Sequence, residues 1–173
     1  MKAPVALTQR ERIVAWLNLQ QTSRVLQSRL EERLGAEAGL SWLEFELLWR
    51  LRSSDGRALQ MSEMAAQLLA SPSGLTRIAD RLEGKRLIDR DIPRDNRRVV
   101  RVTLTDTGRE VLTKADRTFA ATLRESFSGH LSDDEVQFLR RITRRLLEHN
   151  GAWAPDRCEP GLEDQPITNR SAV

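Results

Sequence analysis

Cysteine and histidine are nearly absent from this chain, and their scarcity removes several kinds of chemistry at once. The single cysteine, Cys158, lies in a proline-rich C-terminal stretch, so no disulfide framework is available. The two histidines, His130 and His149, stand 19 positions apart with no cysteine beside either. A structural zinc cage takes about four ligands and a catalytic zinc about three, so no metal centre is expected. There is no glycine-rich phosphate loop, and no serine, histidine and acid form a recognisable local signature. Neither an enzyme nor a bound cofactor is expected from such a chain. Apolar runs such as Ile13 to Leu19 break well short of the roughly 18 residues that span a bilayer. No charged-then-apolar leader opens the sequence, so the expected location is the cytoplasm, away from membranes.

What remains suits one globular domain with a tail. The 173 residues are 39% apolar, with 28 Lys and Arg against 25 Asp and Glu, a formal net charge of +3. Helix-start signals are explicit. Thr8-Gln9-Arg10-Glu11, Ser41-Trp42-Leu43-Glu44 and Ser132-Asp133-Asp134-Glu135 each match the capping box, in which hydroxyl and carboxylate satisfy two helix-end amides reciprocally. The first box predicts a helix over about 9–34 with Ile13, Trp16, Leu19, Leu26, Leu30 and Leu34 as its apolar stripe. The second predicts a helix over about 42–52, closed by the turn Ser53-Ser54-Asp55-Gly56.

Met61 to Leu69 then reads as a short helix, with Ala65-Ala66 small enough for another helix to cross closely. Ser71-Pro72 caps the next helix, which runs to about Arg86, and the two together form a helix-turn-helix. From Leu87 the period changes. Leu87-Ile88 and the run Val99, Val100, Val102, Leu104 predict two strands around the turn Pro93-Arg94-Asp95-Asn96-Arg97. A ribbon with a basic tip after a helix-turn-helix is a wing. Thr105-Asp106-Thr107-Gly108 starts a fifth helix, about 106–128, and a sixth follows over about 133–149. The expected fold is therefore mainly α: six helices with a short β-wing. An arm covers 1–8, the domain 9–150, and a flexible tail 151–173.

Charge is concentrated rather than spread. Residues 71–101 hold nine basic and five acidic side chains, a net +4, while the other 142 residues sum to −1. Local basicity of this kind favours a surface that faces a polyanion. On the fourth helix Leu75, Ile78, Ala79 and Leu82 share one side, and Ser73, Thr76, Arg77, Asp80 and Arg81 share the other. Short hydroxyls near a helix N-terminus, with arginine behind them, suit phosphates and base edges of a major groove. A solvated amphipathic helix would look similar; its basic and helical neighbours favour double-stranded DNA.

Taken in order, these segments resemble the multiple-antibiotic-resistance regulator (MarR) family of winged-helix transcription factors over roughly residues 9–149. The resemblance is carried by Met61-Ser62-Glu63-Met64-Ala65, Ser73-Gly74-Leu75-Thr76-Arg77, Leu87-Ile88-Asp89-Arg90, Asp95-Asn96-Arg97-Arg98, and Val102-Thr103-Leu104-Thr105-Asp106-Thr107-Gly108. It implies a ligand-responsive repressor that binds a pseudo-palindromic operator as a homodimer. It further implies a DNA-binding lobe at about 55–105 and dimerisation helices at about 9–34 and 106–149. By the family pattern Ser71, Ser73, Thr76, Arg77 and Arg81 contact the major groove and its phosphates, and Arg94, Arg97 and Arg98 reach the minor groove. The usual wing Asp falls on Asn96, with Asp95 one residue early. Either Asp95 pairs with Arg97 through a one-residue shift, or Asn96 replaces the ion pair with an amide contact.

Family members commonly release DNA on binding a small aromatic anion between the two layers. Trp16, Trp42, Phe45 and Trp49 would border such an effector pocket, with Arg12, Arg50 or Arg52 as its cation; packing of the core and interface explains the same rings. Peroxide sensing needs a reactive cysteine near the first helix, which is missing, and Cys158 reads as an incidental tail thiol. Arg140, Arg141, Arg144 and Arg145 form a basic run on the last helix that suits a solvated or inter-subunit ion-pair face. The rival reading is a winged-helix protein-interaction module that does not bind DNA specifically; the basic wing speaks against it.

Overall fold

Hydroxyl caps fix where the helices begin. The computed structural model describes residues 6–54, 58–93 and 99–158. Within them α1 (Gln9–Ala38), α2 (Trp42–Ser53) and α6 (Asp133–His149) each start at a closed capping box. The carboxylates of Glu11, Glu44 and Glu135 accept from the amides of Thr8, Ser41 and Ser132 at 2.7, 2.9 and 2.8 Å. α3 (Met61–Gln67) and α4 (Pro72–Gly84) form the helix-turn-helix, and α5 (Asp106–Ser126) follows the sheet.

Helix ends are less faithful to the apolar pattern. α1 runs four residues past its last stripe position, Leu34, and stops only at Gly39, which takes a φ of 68°. α3 and α4 both end earlier than the sequence suggests, at turns whose left-handed residue is not glycine. Leu69 and Arg86 occupy left-handed backbone at φ 51° and 58°. They do so because the next amides reach back, Ala70 to Ala65 at 3.1 Å and Leu87 to Leu82 at 2.9 Å. A non-glycine residue there costs about 1 kcal/mol, which the closed turn offsets.

The sheet has three strands, one more than the expected ribbon. β2 (Ile88–Asp91) and β3 (Arg101–Leu104) pair antiparallel from Ile88 opposite Leu104 to Asp91 opposite Arg101. β1 (Leu59–Gln60) adds to the other edge of β3, with Leu59 opposite Val102, giving the order β1-β3-β2. Two residues leave no alternation to read in the sequence, so this strand is visible only in three dimensions. Their inward side chains join one core with Leu34, Phe45, Leu48, Met64, Leu75, Leu82 and Leu112.

The junction of sheet and α5 depends on one missing side chain. Thr105 caps α5: its hydroxyl accepts from the Gly108 amide at 2.9 Å and donates to the Arg86 carbonyl at 2.8 Å. The first turn of α5 is thereby pulled onto the Leu87 carbonyl. A Cβ on Gly108 would lie 2.1 Å from that oxygen.

The outer layer is half-covered. On α1 the stripe Trp16, Leu19, Leu26, Leu30, Leu34 is one continuous face, yet only Leu30 and Leu34 are buried, where α1 packs on α5. Trp16 is 57% exposed. α6 buries no residue within the chain, and Phe138 on it is 58% exposed. After α6 the periodicity ends at Gly151, as expected. The chain then turns back, Ala152 N donating to Leu147 O at 2.8 Å and the Arg144 guanidinium lying 4.7 Å from the Trp153 ring centre. A single helical turn, Pro155–Cys158, follows in what the sequence suggests is tail. No helix among the described residues is long and apolar enough to cross a membrane.

Candidate nucleic-acid interface

α4 presents its polar face to solvent because its apolar face is spent on the core. Leu75, Ile78, Ala79 and Leu82 are buried, and Ala65 of α3 packs on that same core. At the start of α4 the Ser71 hydroxyl accepts from the Gly74 amide at 3.1 Å and lies 3.4 Å from the Ser73 hydroxyl. Thr76 donates to the Pro72 carbonyl at 2.9 Å. Ser71, Ser73, Thr76 and Arg77 are all exposed and fall within the first two turns. Arg77 makes no ion pair among the described residues. The first half of α4 thus offers three exposed hydroxyls and one guanidinium with no ion pair among the described residues, a set that suits phosphate and base-edge contacts.

The second half is occupied by ion pairs on both edges. On one edge Glu44 of α2, only 3% exposed, accepts from Arg81 Nε at 3.1 Å and from Lys85 Nζ at 3.0 Å. Lys85 also donates to the Gly39 carbonyl at 2.9 Å, where α1 ends. On the other edge Arg90 of β2 donates through Nε to Glu83 at 2.9 Å and meets Asp80 at 2.7 Å. Two clamps of opposite sign therefore hold the helix between α2 and the sheet. Arg81, expected to serve DNA, has a competing partner inside the lobe.

Both clamps shift ionisation. Burial alone pushes the Glu44 carboxyl up, but the Ser41 amide, Lys85 and Arg81 together outweigh it and hold the group below its ordinary value. The bond from Arg90 lowers Glu83 in the same way. A depressed carboxylate stabilises the fold above its unfolded pKa, and that contribution fades as pH falls through the lower folded value. The Glu44→Gln variant should accordingly melt below wild type near pH 7, by about 1–2 kcal/mol. The gap should close as pH drops below about 4. Thermal melts across that range check this; a gap independent of pH would deny the ionised clamp.

Wing-tip residues Arg94, Asp95, Asn96, Arg97 and Arg98 lie outside the described residues. The aromatic residues nominated for an effector pocket do not converge within one chain. Trp42 and Phe45 do meet, at 5.9 Å between ring centres, but both pack on Phe119 of α5, at 5.9 and 5.1 Å. Trp49 also packs against the core. The Trp42 amide donates to Glu31 of α1 at 2.5 Å. Trp16 sits 15 residues before Glu31, about 22 Å along the helix axis, and Arg12 is farther still. Arg50 pairs with Glu46 and Arg52 with Asp116. An open cleft of about 510 Å³ does lie between α1 and α2, lined by Arg24, Gln27, Glu31, Trp42 and Arg81.

Sequence reasoning missed Glu44, Lys85 and Arg90. Glu44 looked like a capping acid and nothing more, and its partners are 37 and 41 residues away. No local pattern announces them.

Comparison with known proteins places this geometry. The MarR family model matches residues 40–100, which span α2, β1, the helix-turn-helix and β2. The chain is 32% identical over 137 residues to the transcriptional repressor MprA of Escherichia coli K12, covering 79% of this chain and 76% of that protein. It is 28% identical over 124 residues to the HTH-type transcriptional regulator PrsX of Escherichia coli, covering 72% and 74%. Among solved structures, Sco3205 of Streptomyces coelicolor, a MarR family transcriptional regulator crystallised in complex with DNA, superposes with a TM-score of 0.77 at 26% identity, covering 94% of this chain and 99% of that one. AbsC, of the same organism and family, gives 0.76 at 27% identity over 87% and 100%. With α3, α4 and the three strands forming a winged helix-turn-helix between helical layers, the chain belongs to the MarR family of transcriptional regulators.

Proposed function

We propose that this regulator acts as a homodimeric repressor, occupying a pseudo-palindromic operator with one winged lobe per half-site. The observation that carries the reading is the exposed polar face at the start of α4, Ser71, Ser73, Thr76 and Arg77, on a segment with a net +4. These side chains meet the major groove, and the wing arginines Arg94, Arg97 and Arg98 reach the neighbouring minor groove. Asp95 or Asn96 orients them. Phosphate neutralisation supplies much of the affinity, so binding weakens steeply with salt.

The uncovered layer supports dimerisation. The stripe that buries Leu30 and Leu34 continues bare through Leu19 and Trp16, and α6 buries nothing in its own chain. A monomer would leave that apolar surface in water, where patches beyond a few hundred Å² are rare. A twofold partner covers both helices and sets two reading heads at the spacing of successive helical turns. Release by a small aromatic anion belongs to the cleft between α1 and α2, where Trp42 supplies a ring face and Arg24 a charge.

Sedimentation tests the assembly. The wild-type chain should run as a dimer and bind an operator duplex with two chains per fragment. Trp16→Glu should run as a folded monomer with at least a hundredfold weaker operator binding, since effective concentration is lost. A Trp16→Glu protein that stays dimeric and binds as before would remove α1 from the interface.

A further inference from the structure

We propose that Glu44 is a specificity-determining residue of the DNA-binding lobe: it holds the heads of Arg81 and Lys85 against the α1–α2 junction, away from duplex phosphates, so that Arg77 is the cation α4 presents to DNA. This rests on the DNA-binding reading above and goes further, because it assigns a role to a buried residue that touches no nucleic acid.

Position alone would make Arg81 a DNA ligand. It lies four residues beyond Arg77, one turn along the same helix, and 53% of its side chain is exposed. Its Nε nonetheless faces inward, 3.1 Å from Glu44. Lys85, a further turn along, spans Glu44 and the Gly39 carbonyl at the C-terminal end of α1, whose partial negative charge favours an ammonium. Glu44 is itself fixed by the Ser41 amide at 2.9 Å, so the acceptor is rigid. One immobile carboxylate thus engages two cations whose stems cross solvent.

The consequence lies in discrimination more than in raw affinity. A mobile arginine on the reading helix finds a phosphate on any duplex and adds sequence-independent binding. A tethered one adds little. Arg90 works to the same end on the opposite edge, where it is spent on Asp80 and Glu83. Between the two clamps the helix keeps Arg77 and its hydroxyls, the groups suited to base edges.

The test uses full-length wild type, Glu44→Gln, Arg81→Gln and the double variant. Glutamine still serves the third position of a capping box, so E44Q removes the charge and keeps the helix start. Dissociation constants are measured for an operator duplex and a scrambled duplex of equal length across a salt series. E44Q should bind the scrambled duplex about tenfold more tightly, with a log–log salt slope steeper by about 1 to 2. The operator-to-scrambled ratio should fall correspondingly, and adding R81Q should take back much of the gain. R81Q alone should leave the wild-type slope in place. An unchanged ratio and slope in E44Q would overturn the proposal while leaving operator binding intact. So would an R81Q slope shallower by about 0.9, the mark of one lost phosphate contact. If E44Q does not fold, the R81Q slope alone decides. A wild-type chain that retains neither duplex overturns the DNA-binding reading, and this inference with it.

Discussion

Gly108→Ala is expected to destabilise the protein by about 3 kcal/mol, lowering the melting temperature by roughly 10 °C. The added methyl would sit 2.1 Å from the Leu87 carbonyl oxygen and 2.8 Å from Leu104 Cδ1. Neither neighbour yields cheaply. Leu87 O is backbone and already accepts from the Thr105 amide at 3.2 Å, and Leu104 is part of the core. Relief requires the first turn of α5 to lift off the sheet, which breaks the 2.8 Å bond from Thr105 to Arg86. Gly35→Ala is the matched control. Gly35 lies inside α1 with nothing within 4 Å of a built Cβ, so alanine there should stabilise by about 0.5–1 kcal/mol. Denaturant titrations of the two variants should move in opposite directions. Equal, small effects would mean that the α5 junction is looser than its geometry.

Arg77→Ala should weaken operator binding about 10- to 100-fold, the worth of one good base-edge or desolvated phosphate contact. Its melting temperature and dimeric state should match wild type, because Arg77 is exposed and engaged in no ion pair among the described residues. Scrambled duplex should be affected less if the side chain reads a base, and equally if it meets a phosphate. Unaltered operator affinity would remove α4 from the reading surface. Arg81→Ala is the informative comparison, since its neighbour one turn away is tethered to Glu44.

Much of this architecture was legible because its signals are local. Capping boxes within four residues set the starts of α1, α2 and α6, and the bounds of α6 follow from its cap and stripe alone. The polar and apolar sides of α4 were readable from helical spacing, and the burial of Leu75, Ile78, Ala79 and Leu82 agrees. What was not legible depends on contacts between distant segments. Whether Arg81 is free or clamped turns on a carboxylate 37 residues earlier, and a helical wheel carries no such information. That Trp16 and Trp42 do not meet within one chain has a similar cause. Both lie on adjacent helices, but α1 is 30 residues long and α2 meets only its last part.

Equilibrium binding of the wild-type chain to a fragment selected from the source genome, against a scrambled duplex across a salt series, tests the central claim most directly. Two chains should bind the selected fragment at least about 10³-fold more tightly than the scrambled one, and both affinities should fall steeply as salt rises. Equal affinities at every salt concentration, or no retention of either duplex in dilute buffer, would contradict it.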